Sequence, residues 1–157
     1  MVRTRRRRGF SLIELSVSFT ILMMLTGMAV PLARYRVRRE KERDLRLALR
    51  EIHAAIDKYK DACDYGQLGA ESKKLDSECY PETLEALVEG VKAAGAQDKK
   101  IKFLRRIPRD PFTGNREWGM RSVKDDPTSS SWGGSNVFSV YSKTYEKAGD
   151  GTAYSEW

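Results

Sequence analysis

Histidine and cysteine are scarce in this chain, with 1 His and 2 Cys among its 157 residues. A structural zinc site needs four ligands, and His53 lies on a predicted helix ten residues before Cys63, so these residues offer no such site. The sequence also lacks a glycine-rich phosphate loop, paired acids that stand apart from solvated charges, and a motif that places a serine or thiol beside His53. These absences favour a non-catalytic protein.

Long apolar runs are absent too, with one exception at residues 10–32. That run reads FSLIELSVSFTILMMLTGMAVPL and contains one acidic residue in 23. A helix needs about 20 mostly apolar residues to cross a bilayer, whereas the apolar core of a cleavable signal peptide has about 7–15. The run therefore predicts a single membrane-spanning helix.

Positive charge flanks this run on both sides, so the charge rule for membrane orientation is ambiguous by itself. The tight cluster on a short leader favours a cytoplasmic N-terminus and export of everything after the span. Without the five leader arginines the formal charge falls from +7 to +2, so we predict no nucleic-acid partner for the mature chain. The flanking residues are Arg3, Arg5, Arg6, Arg7 and Arg8 before the run, and Arg34, Arg36, Arg38 and Arg39 after it.

An amphipathic pattern follows the apolar run. The apolar residues recur at spacings of four and three, which places them on one face of a helix; they are Leu45, Leu49, Ile52, Ile56 and Tyr59. We predict one helix over residues 11–62. Gly27 and Pro31, one turn apart, are expected to weaken or bend it, because proline removes a backbone donor and clashes with the preceding turn.

The second half of the chain predicts short elements. A second helix is predicted over residues 81–95, strands over 116–121 and 137–141, and a last strand after the Asp150-Gly151 turn. The expected fold class is α+β, a lollipop in which a long N-terminal helix with a hydrophobic first half packs on an antiparallel sheet of two to four strands. The predicted domain division is a basic leader at 1–9, a membrane segment at 10–32 and a globular domain at 33–157.

Cys63 and Cys79 enclose 15 polar, turn-prone residues. If the domain is exported, a disulfide between them is favoured over two free thiols, and closing a loop of this size typically contributes about 3 kcal/mol. In a reducing compartment this prediction does not hold.

The junction RRRRGFSLIELSVSFTILMMLTGMAVPL resembles the class III signal of type IV prepilins and type II secretion pseudopilins. Those signals have a short basic leader, a glycine at the cleavage point, a phenylalanine as the new N-terminus and a glutamate four residues later. Here these positions are Gly9, Phe10 and Glu14, and Pro31 occupies the family's usual helix-weakening position. The resemblance implies cleavage after Gly9 by a prepilin peptidase and N-methylation of Phe10.

Glu14 also has a physical argument. A carboxylate near one end of an apolar span is costly unless it is partnered, and such residues are functional by default. After cleavage, the α-amino group of Phe10 is a cation at the same membrane depth as Glu14 of a neighbouring subunit, so the two charges can satisfy each other and set the axial offset. The alternative is that Ser11 and Glu14 form a capping box at an ordinary helix start.

The C-terminal half narrows the resemblance. The strings LRRIPRDPFTGNREWGMRS, SWGGSNVFSVYSK and DGTAYSEW resemble the globular domains of major pseudopilins of type II secretion. This implies a homopolymer in the inner membrane, with a periplasmic C-terminal domain, an assembly platform and minor pseudopilins as partners. Major pseudopilins often bind calcium; the candidate ligands here are Asp150, Glu156, Asp125 and Asp126, although they do not form the usual dense acidic run.

Three rival functions are compatible with parts of the sequence. The first is a true type IV pilin of a surface pilus. The second is a monomeric, signal-anchored binding protein that uses Trp118, Trp132 and Trp157 as a carbohydrate platform, although scattered aromatic residues usually serve packing. The third is a basic nucleic-acid-binding protein, which requires the leader to persist.

Overall fold

The structure is a computed structural model, and it describes residues 11–70, 77–95 and 99–157, except for the side chains of Met28 and Ala29. It contains two compact units, Met1–Glu40 and Lys41–Trp157. In the element order, helix α1 is followed by short helices and strands, and the predicted α+β class is confirmed.

Helix α1 spans Leu12–Asp64 and confirms the predicted long N-terminal helix within two residues at its C-terminal end. It continues through Pro31, which lies inside it. The weakening expected from Gly27 and Pro31 stays a prediction, since a continuous helix can still be destabilised where a backbone hydrogen bond is missing.

The C-terminal part of α1 supplies one side of the hydrophobic core of the unit Lys41–Trp157. The predicted apolar row is buried there, from Leu45 and Ile52, which are fully buried, to Tyr59. It joins residues from every later part of the unit; among them are Leu84, Leu87, Leu104, Trp118, Val137, Val140 and Tyr154. This segment of α1 is therefore the packing centre of the folded unit.

The second helix is much shorter than predicted. Helix α2 spans Leu84–Glu89, and strands β1 (Val91–Lys92) and β2 (Lys100–Ile101) occupy sequence that was expected to be helical or irregular. Gly90 ends the helix with φ of +82°, in a position where a Cβ atom would lie 2.9 Å from the Ile101 carbonyl oxygen. The pairing of Val91 with Ile101 is nonlocal, so the helical periodicity of 81–95 did not reveal it.

The two predicted strands are present but short. Strands β3 (Gly119–Arg121) and β4 (Ser139–Tyr141) pair antiparallel, with Gly119 opposite Tyr141. Within the described residues, the four strands form two separate two-stranded sheets, where the sequence had predicted one sheet. The tail contains an isolated bridge between Lys147 and Ala153 and a 3₁₀ helix at Tyr154–Glu156 in place of a last strand.

Candidate functional site

The apolar half of α1 exposes its hydrophobic side chains all round. Leu12, Phe19 and Met23 have 87%, 64% and 77% of their surface exposed. An 18-residue window of the helix is long and apolar enough to cross a membrane, and none of that window is buried within the structure. Removing so much apolar surface from water is strongly favourable, so this segment is suited to serve as a membrane anchor or to pack against other chains.

Hydroxyl groups in this segment are satisfied within the helix. Ser16, Ser18, Thr20 and Thr26 each donate a hydrogen bond to a backbone carbonyl three or four residues earlier, at 2.7–2.9 Å. In hydrocarbon a hydroxyl without a partner is costly, whereas these bonds need no water. The polar residues of the segment are thus compatible with lipid, with one exception.

The exception is Glu14, in the first turn of α1. Within the described residues its carboxylate has no ion pair or hydrogen bond, and the capping-box bonds between Ser11 and Glu14 are not formed. Only the backbone of Ser11 contributes there, by accepting a bond from the Leu15 N–H at 3.1 Å. Capping therefore does not account for Glu14, and its carboxylate is available to a partner outside this segment.

Gly9, Phe10 and Gly27 also have roles predicted from the sequence. Gly9 and Phe10, the predicted cleavage and methylation positions, lie outside the described residues. At Gly27, which is described, a Cβ atom would meet nothing within 4 Å, so no side-chain contact explains the glycine. The roles assigned to these residues stay predictions.

Cys63 and Cys79 are joined by a disulfide, with their Cα atoms 5.6 Å apart. Cys63 is fully buried at the end of α1. Glu78 and Cys79 both have positive φ, at 50° and 64°, which marks the tight turn that returns the chain to the helix. The disulfide closes the segment that follows α1 onto the core.

Two of the predicted calcium ligands, Asp125 and Asp126, accept hydrogen bonds from residues of their own loop. Asp125 accepts bonds from the backbone N–H groups of Ser122 at 2.7 Å and Gly133 at 3.0 Å, and these donors lower the pKa of its carboxyl. Asp126 accepts from the hydroxyl and backbone N–H of Thr128, which likewise lower its pKa. Both carboxylates thus act as hydrogen-bond acceptors, Asp126 within its own turn and Asp125 between two parts of the loop that are eight residues apart.

Asp150 has the same kind of local role. Its Oδ1 accepts from the Thr152 hydroxyl at 2.7 Å and the Thr152 N–H at 3.0 Å, and these bonds lower its pKa. Calcium requires six to eight oxygen ligands. Among the described residues, which include Glu156 and the other three candidate acids, no group of three or more acidic, histidine or cysteine side chains is arranged to hold a metal ion. Calcium binding stays a prediction from the sequence.

Sequence reasoning missed the buried polar groups that hold the loops. Asp110 is fully buried and accepts from the Ser142 hydroxyl at 2.6 Å and the Phe112 N–H at 2.8 Å. Arg121 is buried too and donates to the carbonyls of Ser129 and Ser155. No sequence signal announces these residues, because their partners are up to 34 positions away.

The tryptophans do not form a shared platform. The indole N–H of Trp118, which is buried, is donated to the Pro108 carbonyl, and that of Trp132 to the Asn136 carbonyl. Trp157 packs edge-on against Tyr154, with ring centroids 4.8 Å apart. These contacts are typical of packing and loop anchoring, and they give the carbohydrate-binding rival no support.

His53 joins α1 to strand β4. Its Nε2 accepts a bond from the Val140 N–H and lies beside the Ser139 hydroxyl, each at 3.3 Å. Burial lowers the pKa of His53, and the Asp57 carboxylate opposes part of that shift. This histidine therefore serves as a neutral acceptor in the packing of the unit.

Comparison with known proteins finds a family match at the N-terminus of the chain. Residues 4–30 match the family model of the prokaryotic N-terminal methylation motif. This motif is typical of type IV pilin-like prepilins, so the N-terminal segment of the chain is similar to theirs. No curated protein and no solved structure matches the chain.

The motif overlaps the exposed apolar part of α1 and explains why a segment there is apolar and exposed. The matched residues contain Gly9, Phe10 and Glu14 and end one residue before Pro31. Such a motif implies processing by a prepilin peptidase and pilus-like assembly. The motif is common to pilins and pseudopilins.

Proposed function

We propose that this protein is a structural subunit of a type II secretion pseudopilus. The observation that carries the proposal is the methylation motif on an exposed apolar helix in which the Glu14 carboxylate has no partner among the described residues. A charge in that position is costly in lipid until a second group neutralises it. Assembly with other copies supplies that group.

In the proposed assembly step, prepilin peptidase removes residues 1–9 and Phe10 becomes an N-methylated terminus. The Phe10 amino group keeps its positive charge after methylation. It pairs with Glu14 of a neighbouring copy, and since the pairing requires an axial offset between helices, it also sets the register of the filament. The protein contributes structure and movement, without catalysis.

Before assembly, the proposed subunit resides in the inner membrane with a cytoplasmic N-terminus and a periplasmic C-terminal unit. The disulfide between Cys63 and Cys79 agrees with an oxidising compartment. The proposed partners are an inner-membrane platform, which moves subunits from the membrane into the filament, and minor pseudopilins. No nucleic acid takes part.

The choice of pseudopilus over surface pilus rests on the resemblance of the C-terminal half to major pseudopilins. Deletion of the gene tests that choice. The proposal predicts that secreted proteins accumulate in the periplasm and that shearing intact cells releases no fibre containing this chain. A type IV pilin of a surface pilus, the alternative with the same N-terminal motif, predicts sheared surface fibres and undiminished protein secretion.

A further inference from the structure

A basic groove lies on the folded unit beside the exposed face of α1. The groove has a volume of about 640 Å³ and is lined by Arg43, Arg46, Leu49, Arg50, His53, Asp150 and Trp157. Three arginines face one carboxylate there. The groove therefore carries a net positive charge that suits an acidic partner.

The arginines of the groove are held in place yet lack strong ion pairs. Arg46 lies over the Trp157 ring, 4.2 Å from its centroid, and Arg50 donates to the Arg46 carbonyl at 3.3 Å. Arg43 approaches Asp44 only at 3.9 Å, with both side chains well exposed. An exposed pair at that distance is worth little, so these cations remain able to bind another carboxylate.

An acidic row lies further along the same helix. Asp57, Asp61 and Asp64 are exposed and are spaced by four and three residues. Asp64 pairs with Lys60 at 3.1 Å, whereas Asp57 and Asp61 have no cation within 4 Å among the described residues. The helix thus presents unpaired cations in one segment and unpaired anions in the next.

The two segments match in spacing. Arg46 and Arg50 are four residues apart, as are Asp57 and Asp61, and each arginine lies eleven residues before its acidic counterpart. Eleven residues are about three helical turns, which returns the helix to within about 20° of the same face and advances it by about 16 Å. A parallel copy shifted by that length brings Asp57 opposite Arg46 and Asp61 opposite Arg50.

From this match we propose that the basic groove receives the acidic row of a second copy of this chain, shifted by about three helical turns. The partner's identity rests on the proposed filament function, in which the membrane segments keep neighbouring copies parallel. All copies in a filament have equivalent surroundings, so each copy can offer its groove to one neighbour and its acidic row to another. Phe10 and Glu14 are only four positions apart, so their pairing and this contact have different axial offsets and join different pairs of neighbouring copies.

Charge reversal in the full-length protein tests this contact. Arg46→Asp with Arg50→Asp is expected to lower filament yield at least about tenfold, because like charges would face each other at the interface. Adding Asp57→Arg and Asp61→Arg to the same chain is expected to restore the yield to within about twofold, since every copy then carries the swapped pairs. Arg105→Asp with Arg106→Asp, two exposed arginines outside the groove, is the matched control and should assemble normally.

Disulfide trapping tests whether neighbouring copies are parallel and shifted, or antiparallel. Arg46→Cys with Asp57→Cys is expected to give a ladder of cross-linked copies, whereas an antiparallel pair would cross-link Arg46→Cys with Asp61→Cys into dimers only. The proposal is overturned if the arginine reversals assemble like the wild type, if the four-residue swap fails to restore assembly, or if only the antiparallel dimer is trapped. A wild type that loses its leader but forms no filament contradicts the proposed function itself, and the groove then loses its partner.

Discussion

The apolar part of α1 and the folded unit Lys41–Trp157 differ in how much of their apolar side-chain surface is exposed. In the folded unit, Leu45, Ile52 and Val140 are fully buried within one continuous core. In the apolar part, side chains such as Leu12 and Met23 remain mostly exposed, and the Glu14 carboxylate has no partner within the described residues. The first region is complete by itself, while the second requires lipid or other copies.

The two regions also differ in how their polar groups are partnered. In the folded unit, polar side chains such as Asp125, Arg121 and Asp110 form hydrogen bonds with the unit's own loops. The apolar segment satisfies its hydroxyls internally and leaves a single carboxylate available. In the proposed function, this carboxylate is the group that another copy neutralises during assembly.

The largest expected effect comes from Glu14→Ala. Removing the carboxylate should abolish filament assembly, because the Phe10 amino group of the neighbouring copy loses its partner in the membrane. Leader removal and the melting temperature of the folded unit should remain unchanged. Ser18→Ala, which alters a hydroxyl already satisfied by the Glu14 carbonyl, is the control, and pelleted filaments from the two variants provide the comparison.

Asp110→Ala tests whether buried hydrogen bonds stabilise the folded unit. It leaves the Ser142 hydroxyl and the Phe112 N–H without their buried acceptor, so we expect unfolding to become easier by about 3 kcal/mol. Urea unfolding of the detergent-solubilised protein, followed by tryptophan fluorescence, measures this unit alone, since all three tryptophans lie within it. Glu117→Ala, at an exposed site, should have almost no effect; equal losses in both variants would contradict the role given to Asp110.

Gly119→Ala tests the packing of β3 against β4. A Cβ atom at this position would collide with the Tyr141 ring, so strand pairing must shift, at an expected cost of about 2 kcal/mol. Gly149→Ala is the matched control, because a Cβ atom there meets nothing within 4 Å. The same unfolding experiment applies, and a neutral Gly119→Ala would show that the ring moves freely.

The smallest effect concerns pH. Because burial lowers the folded-state pKa of His53 below 6.5, the unfolded chain takes up a proton first as the pH falls. The stabilising contribution is complete above the unfolded pKa and is lost as the pH falls through the folded one, where Nε2 can no longer accept from Val140. Melting temperatures should therefore decline between about pH 7 and 5 in the wild type and less steeply in His53→Gln. Identical slopes would contradict this assignment.

The sequence predicted the features that repeat locally. Helix α1 and its buried row followed from a spacing of four and three, and the membrane segment from length and composition. It could not predict that α2 stops at Glu89, because the cause is the approach of Ile101 to Gly90. Nor could it find Asp110 or Arg121, whose partners are distant in sequence. The calcium site stays a prediction; the sequence did not show that Asp125, Asp126 and Asp150 accept hydrogen bonds within their loops.

The most direct test of the central claim is the N-terminal mass of the protein recovered from membranes of cells with and without a prepilin peptidase. The account predicts an N-methylated Phe10 at the N-terminus only when the peptidase is present, and an intact leader when it is absent. An intact Met1 in both preparations would contradict the filament subunit and leave the exposed helix as a plain membrane anchor.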